Sequence, residues 1–264
     1  MSLPVLLAVA HGSRDPRHAA TVHALLRRAR ALRPGQRMET AFLDFDAPTV
    51  PRVLERLADE GADDVVAVPL LLTRAFHAKS DIPAVLREAG ARLPRLRIRQ
   101  AGVLGPSPLL LAALERRLWE AGLTPSDRCS TGLVLASAGT TDPEAIAVIA
   151  DMARELRRTG WCAVRPAFAS ASPPRTDVAV RALRGDGCVR VAVAPLVIAP
   201  GRLPDRIAEG AREADVLAGV LGPAPELARL LLHRFDQTAA TAAAVGTSGT
   251  VRAVRRTGSL AVPA

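Results

Sequence analysis

Two imidazoles and a carboxylate stand at the ends of three apolar runs in this 264-residue chain. The run Val5 to Ala10 leads into His11-Gly12-Ser13-Arg14. A second ends Leu43-Asp44-Phe45-Asp46, and a third passes into Thr73-Arg74-Ala75-Phe76-His77-Ala78-Lys79-Ser80-Asp81. Imidazole nitrogen and carboxylate oxygen are donors that divalent iron, cobalt, nickel or zinc accepts, and neutral imidazole also takes up a proton near pH 7. His11, His77 and Asp44 are therefore the candidate ligands and proton acceptors. Asp46, closer to Pro48, reads as a turn or cap residue. His18 and His23 sit five residues apart in a helical segment, off a common face, and His233 lies near the end of the last one. Those three read as structural or solvated.

The chain carries its own control, because it repeats. Ala101-Gly-Val-Leu-Gly-Pro-Ser-Pro returns as Ala218-Gly-Val-Leu-Gly-Pro-Ala-Pro at an offset of 117 residues. Pro69, in Val65-Val-Ala-Val-Pro-Leu, matches Pro195 at an offset of 126, and Leu6 to Pro16 matches Leu133 to Pro143 at 127. Carried through, His11 falls on Ala138, Asp44 on Ser170 and, with one gap, His77 on Arg202. Every candidate ligand is lost in the second copy while the apolar pattern stays. Residues kept for the fold alone would persist in both, so their confinement to one copy favours a site.

The elements that must position these residues alternate in type. Strands are expected at Val5 to Ala10, Glu39 to Phe45, Val65 to Leu72 and Arg97 to Leu104, and in the second copy at Gly132 to Ser137, Ala163 to Ala169, Val189 to Ile198 and Val216 to Leu221. Helical segments open at Pro16 and after Pro48, Pro83 and Pro106, with Gly35, Gly61 and Gly122 among the stop signals. Apolar strands alternating with amphipathic helices imply an α/β fold: two tandem parallel-sheet domains from an internal duplication, covered on both faces. Ligands of such sheets bind beyond the carboxyl ends of the strands, where His11, Asp44 and His77 fall. The expected divisions are 1–125, 126–236 and a flexible tail, 237–264, that lacks apolar periodicity.

Composition removes several classes of function. No apolar run reaches the ~18 residues of a membrane helix, and no secretory signal opens the chain, so a cytoplasmic location is expected. Three cysteines, Cys129, Cys162 and Cys188, are odd in number, widely spaced and form no CxxC pair, which argues against a disulfide scaffold, a zinc ribbon or an iron-sulfur cluster. The net charge of +9 would suit nucleic acid, but all 35 basic residues except Lys79 are arginine, which reads as a coding bias, and 3% aromatics leave bases little to stack on. No nucleic-acid or membrane partner is therefore expected. His11-Gly12-Ser13 is not a dinucleotide fingerprint, and Ala10 stands where a histidine phosphatase carries arginine.

Ala10-His-Gly-Ser-Arg, Phe42-Leu-Asp-Phe-Asp-Ala-Pro-Thr and the stretch from Val68 through His77 to Pro83 resemble the sirohydrochlorin chelatase family, the type II, ATP-independent chelatases of siroheme and cobalamin synthesis. The resemblance covers about residues 1 to 232. It departs at Asp44, where the family often has Glu, and at Thr73-Arg-Ala-Phe, where small residues including Gly are usual. It implies a bilobal fold with the tetrapyrrole in the cleft between lobes, the metal on His11 and His77, and no organic cofactor. The divalent metal is then a substrate, Fe2+ favoured over Co2+ because no His-rich storage tract occurs among the five histidines. Insertion must remove two pyrrole protons, so an imidazole or Asp44 would accept them. Ser13, Arg14, Arg74 and Lys79 are the residues placed to hold the acetate and propionate groups of sirohydrochlorin. The alternative is a metal or tetrapyrrole carrier without turnover, and the chain is expected to act as a monomer or homodimer.

Overall fold

Strands β1 (Val5–Ala10), β2 (Met38–Phe42), β3 (Asp64–Pro69) and β4 (Arg97–Gln100) form a parallel sheet in the order β2-β1-β3-β4. Strands β5 (Thr131–Ser137), β6 (Ala163–Phe168), β7 (Arg190–Leu196) and β8 (Val216–Leu217) repeat it as β6-β5-β7-β8. The computed structural model describes residues 3–74 and 77–248, and of His77 and residues 242–248 the backbone only. Between the strands run helices α1 (Pro16–Leu32), α2 (Val50–Asp59), α3 (Ile82–Arg92), α4 (Pro108–Glu120), α5 (Pro143–Arg158), α6 (Thr176–Gly185), α7 (Arg202–Gly210) and α8 (Pro225–Ser248). Prolines stand at the start of α1, α2, α3, α4 and α5, where a missing N–H costs no helical hydrogen bond.

Every residue of β1 and of β5 is buried, because helices cover both faces of each sheet. Alternate side chains divide between two cores. Val5, Leu7 and Val9 face α2 and α3, whereas Leu6, Ala8 and Ala10 join a second core that runs without interruption into the other half, through α1, α4, α5 and α8. Val134, Val191 and Val193 face α6 and α7 on the far side. The order of layers is thus helices, sheet, shared helices, sheet, helices.

The shared layer is built by exchange. Helix α4 of the first copy lies against β7 of the second sheet, and α8 of the second copy lies against α1 and β3 of the first. Two equivalent arginines fasten the exchange: Arg117 on α4 donates to the Leu221 carbonyl at 3.0 and 2.7 Å, and Arg234 on α8 donates to the carbonyls of Val103 and Leu104 at 2.8 and 3.0 Å. In space, therefore, each sheet is completed by the other copy's last helix, and the expected division at 236 falls inside α8.

The structure corrects the expected tail. Helix α8 continues through Gln237 to Ser248, and its residues as far as Ala239 dock on the first copy. Arg33 grips both oxygens of Asp236 at 2.6 and 2.7 Å, Arg99 donates to the Thr238 carbonyl at 2.6 Å, and Ala239 packs on the shared core. Residues 249–264 lie outside the described part. Deleting 237–264 is expected to remove ~1–2 kcal/mol and lower Tm by roughly 2–8 °C. Asp236 and its Arg33 pair remain, so a melting curve superimposable on that of the full chain would show that the Thr238 and Ala239 contacts carry no stability.

Six strands stop earlier than their apolar runs: β2, β3 and β4 in the first copy, and β6, β7 and β8 in the second, which end at Phe168, Leu196 and Leu217. β2 ends at Phe42, although Leu43 and Asp44 still donate to the carbonyls of Ala10 and His11 at 3.0 and 2.9 Å, because Phe45 turns the backbone into the left-handed region at φ 63°. β3 and β4 likewise close at Pro69 and Gln100.

Candidate functional site

Val9 pairs with Pro69 and Ala10 with Phe42, so the residues that follow β1, β2 and β3 leave the sheet at one edge. The β1–α1 loop is held there by its neighbour. The Asp44 N–H donates to the His11 carbonyl, and the Asp46 carboxylate accepts the Ser13 N–H at 2.9 Å. Gly12 crosses the Asp44 carbonyl so closely, at φ 95°, that a Cβ would lie 1.8 Å from that oxygen. The Ser13 hydroxyl accepts the Asp15 N–H at 3.1 Å, and Asp15 caps α1 by accepting the Arg17 N–H at 2.9 Å.

His11, half-buried, lies beside the Phe45 ring, with centroids 6.1 Å apart and the planes tilted by 31°. Phe45 is 53% exposed, and the exposed Arg14 lays its guanidinium 5.5 Å from the same ring. Asp44 is exposed, and its Oδ1 accepts the Phe45 N–H at 2.8 Å. His11, Ser13, Arg14 and Asp44 thus form one cluster. Arg74 is exposed beyond the end of β3. The backbone of His77 opens a single π turn, His77–Asp81, that leads into α3. Its side chain lies outside the described part, as do Ala75 and Phe76. Among the described residues no three His, Cys, Asp or Glu side chains gather as a metal-holding group.

The second copy keeps this scaffold without its chemistry. Gly139, at φ 100°, crosses the Ser170 carbonyl as Gly12 crosses that of Asp44; Ala171, at φ 62°, stands for Phe45; Asp142-Pro143 caps α5 as Asp15-Pro16 caps α1. The loop geometry belongs to the fold, whereas the imidazole and carboxylates at Ala138, Ser170 and Ser172 are gone. One correspondence needs correcting. Fourteen residues separate Pro69 from Pro83, but nine separate Pro195 from Pro204, and the second copy enters α7 directly at Arg202. The π turn has no counterpart, so Arg202 stands opposite Asp81 and nothing stands opposite His77.

Lys79 is engaged across the molecule. Its ammonium lies 2.7 Å from Asp142 and 2.8 Å from Glu144, at the start of α5. These hydrogen bonds raise the Lys79 pKa and lower that of Asp142. The reciprocal position, Arg17 on α1, approaches Asp205 on α7 at 3.8 Å, and Gly201 comes close to the Ser13 hydroxyl. The edge that carries His11 therefore faces the corresponding edge of the other copy. Lys79, expected beside a substrate carboxylate, has two protein carboxylates as partners. Spacing within one copy contains no signal for that.

Asp46 does more than a turn residue would, since it clamps Ser13, and His18 has the structural place expected of it. His18 comes within 3.9 Å of Asp46, and its buried Nδ1 has no hydrogen-bond partner. The departure Phe45-Asp46 against Ala171-Ser172 was the available signal. His23 sits edge-on to Phe42 at 5.8 Å, a packing role. Burial lowers the His18 pKa against the opposing pull of Asp46. Below its ordinary value near 6.5 the unfolded chain binds the extra proton first, so this contribution is complete above that pH and is lost as pH falls through the lower folded value. Between pH 7.5 and 5.5, Tm is expected to fall more steeply for the wild type than for His18→Gln. Parallel declines would remove His18 as the cause.

A duplicated parallel α/β protein whose two sheets face each other at their carboxyl edges, with the loop chemistry in one copy, has the architecture of the two-lobed chelatases. SirB from Bacillus subtilis with Fe3+ superimposes at a TM-score of 0.79 with 25% identity, over 92% of this chain and 98% of that one. The CbiX family model matches residues 5–121 and again 132–238, and the chain belongs to that family. The sirohydrochlorin cobaltochelatase of Priestia megaterium is 28% identical over 88% of this chain and 79% of its own length. The sirohydrochlorin ferrochelatase of Bacillus subtilis (strain 168) is 27% identical over 89% and 92%. Among the described residues no helix is long and apolar enough to cross a membrane.

Proposed function

We propose that this chain inserts a divalent metal ion into sirohydrochlorin, with ferrous iron ahead of cobalt, in the service of siroheme or cobalamin synthesis. The observation that carries this reading is the asymmetry of the duplication. Both copies keep the strand-end loops to the level of glycine conformation, yet only the first adds His11, Asp44, Asp46 and a π turn opening on His77. The names borne by the relatives supply the reaction class.

In this reading His11 and His77 hold the metal by two imidazoles and leave its other positions open, since a closed cage would oppose transfer. The exposed Phe45 offers a flat apolar face beside His11 for the macrocycle, and Arg14 and Arg74 pair with its carboxylates. As ring nitrogens replace imidazoles on the metal, two pyrrole protons leave, and Asp44 or a freed histidine takes them. Lys79 holds the His77 segment against α5, so the second lobe contributes to the site without supplying a ligand.

The test is an anaerobic absorbance assay with sirohydrochlorin in excess over enzyme and Fe2+ or Co2+ supplied singly and then at equal concentration. Many turnovers per chain are expected, with iron consumed first in competition. Formation of one equivalent followed by a halt would leave only a carrier. Preference for cobalt would reverse the choice of metal.

A further inference from the structure

Cys162 directly precedes β6 and Cys188 lies just before β7, the two strands that flank β5. Neighbouring strands in a sheet are about 4.8 Å apart, so side chains from the two flanking strands meet only where the central strand leaves room between them. Here the intervening residue is Gly132, paired with Ala163 on one side and Val191 on the other. A Cβ on Gly132 would lie 2.8 Å from the Cys188 sulfur. Through that gap the two sulfurs approach to 3.5 Å. The corresponding positions of the first copy are Val5, Gln36 and Ala62, so the fold itself requires neither the glycine nor the thiols.

We propose that Cys162 and Cys188 are a modification site: an oxidisable dithiol that peroxide converts to an intramolecular disulfide. Both thiols are partly exposed and free. Closing 3.5 Å to a bond of about 2.05 Å needs a shift that the glycine-flanked segment Asp186-Gly187-Cys188 can supply. The ion pair of Arg165 with Asp186, at 2.6 Å, already ties the same two segments. In the first step the sulfur of one cysteine attacks the peroxide O–O bond, which breaks to leave a sulfenic acid and one water. In the second the other sulfur displaces the sulfenic oxygen, the S–S bond forms, and a second water leaves. Two thiols lose two electrons and two protons while one peroxide becomes two waters. Burial and the neighbouring Cys162 push the Cys188 thiol up to about 11, so the reaction is a slow response to sustained oxidation rather than a fast sensor. The product closes a loop of 26 residues that contains β6 and α6, and so staples the second sheet.

The experiment uses the full chain carrying Cys129→Ser, which removes the exposed third thiol. Reduced, desalted protein is treated with hydrogen peroxide, and intact mass, thiol titre and melting are read before and after dithiothreitol. The expected result is a loss of about 2 Da and of both thiols, one cross-linked peptide joining Cys162 to Cys188, and a Tm rise of several degrees, all reversed by reductant. Adding Cys188→Ser should abolish the 2 Da loss while the protein still melts cooperatively. Oxygen adducts in place of the mass loss, disulfide-linked dimers, or two unreacted thiols after prolonged exposure would each overturn the proposal.

Discussion

Alanine at His11 or at His77 is expected to cut metal insertion by on the order of 100-fold or more while leaving the chain folded. The size follows from chemistry. A site of two imidazoles that loses one keeps a single weak donor, and neither Asp44 nor Asp46 replaces it: the first is turned towards the Phe45 N–H and the second towards the Ser13 N–H. The fold survives because Ala138 already occupies the equivalent of position 11, and the second copy builds its loop without the π turn that bears His77. Co2+ titration should lose affinity in both variants, and His233→Ala, an exposed position in the first half of α8 rather than near its end, should match the wild type. Asp44→Ala should be milder, because its clamp on the loop is made by backbone groups that alanine retains. Full turnover by folded His11→Ala protein would dismantle the site.

Gly12→Ala is expected to destabilise the protein by ~3 kcal/mol or more and to abolish insertion in whatever remains folded. The methyl group meets two obstacles: a left-handed backbone at φ 95°, which alanine disfavours, and the Asp44 carbonyl oxygen 1.8 Å from the new Cβ. That oxygen belongs to the main chain, so no side-chain rotation relieves the contact. The strand-end loops of β1 and β2 must part, and His11 moves with them. Gly139→Ala is the matched control, with φ 100° and a Cβ 2.0 Å from the Ser170 carbonyl. Similar losses of Tm are expected from both changes. Metal affinity of the folded fraction should drop only for Gly12→Ala, because only that loop carries an imidazole. If Gly12→Ala melted and turned over like the wild type, the packing of the two loops would be wrong.

Much of this was legible in the chain because the relevant signals are local. The Asp-Pro caps at Asp15 and Asp142 are written within three residues, and the apolar runs that become β1 and β5 need no partner to be recognised. Strand ends fall short of the apolar runs at β2, β3, β4, β6, β7 and β8, since apolar residues continue into loops that are themselves half-buried against the sheet edge. The contact between His18 and Asp46 was not legible because helical spacing places His18 on α1 without saying that the turn after β2 bends back over that helix.

The sequence alone determined that the protein is a duplicated α/β chain and that the candidate ligands stand in one copy, because a repeat compared with itself separates residues that both copies share from those that only one carries. It also placed His11 and Asp44 at strand ends, since a parallel strand has one direction and its carboxyl end follows from chain order. Only the tertiary structure decided which surfaces those patterns cover. An apolar helix face is satisfied by any apolar surface, because the hydrophobic effect has no direction. Nothing in α4 or α8 therefore told that each would cross to the other copy's sheet, or that the helix would run on past Gln237 with Thr238 and Ala239 docked on the first copy. The same holds for pairs that meet through space: Lys79 with Asp142 and Glu144, and Cys162 with Cys188 over Gly132. Their separation along the chain carries no trace of the contact, which exists because two sheets and three strands bring the partners within bonding distance.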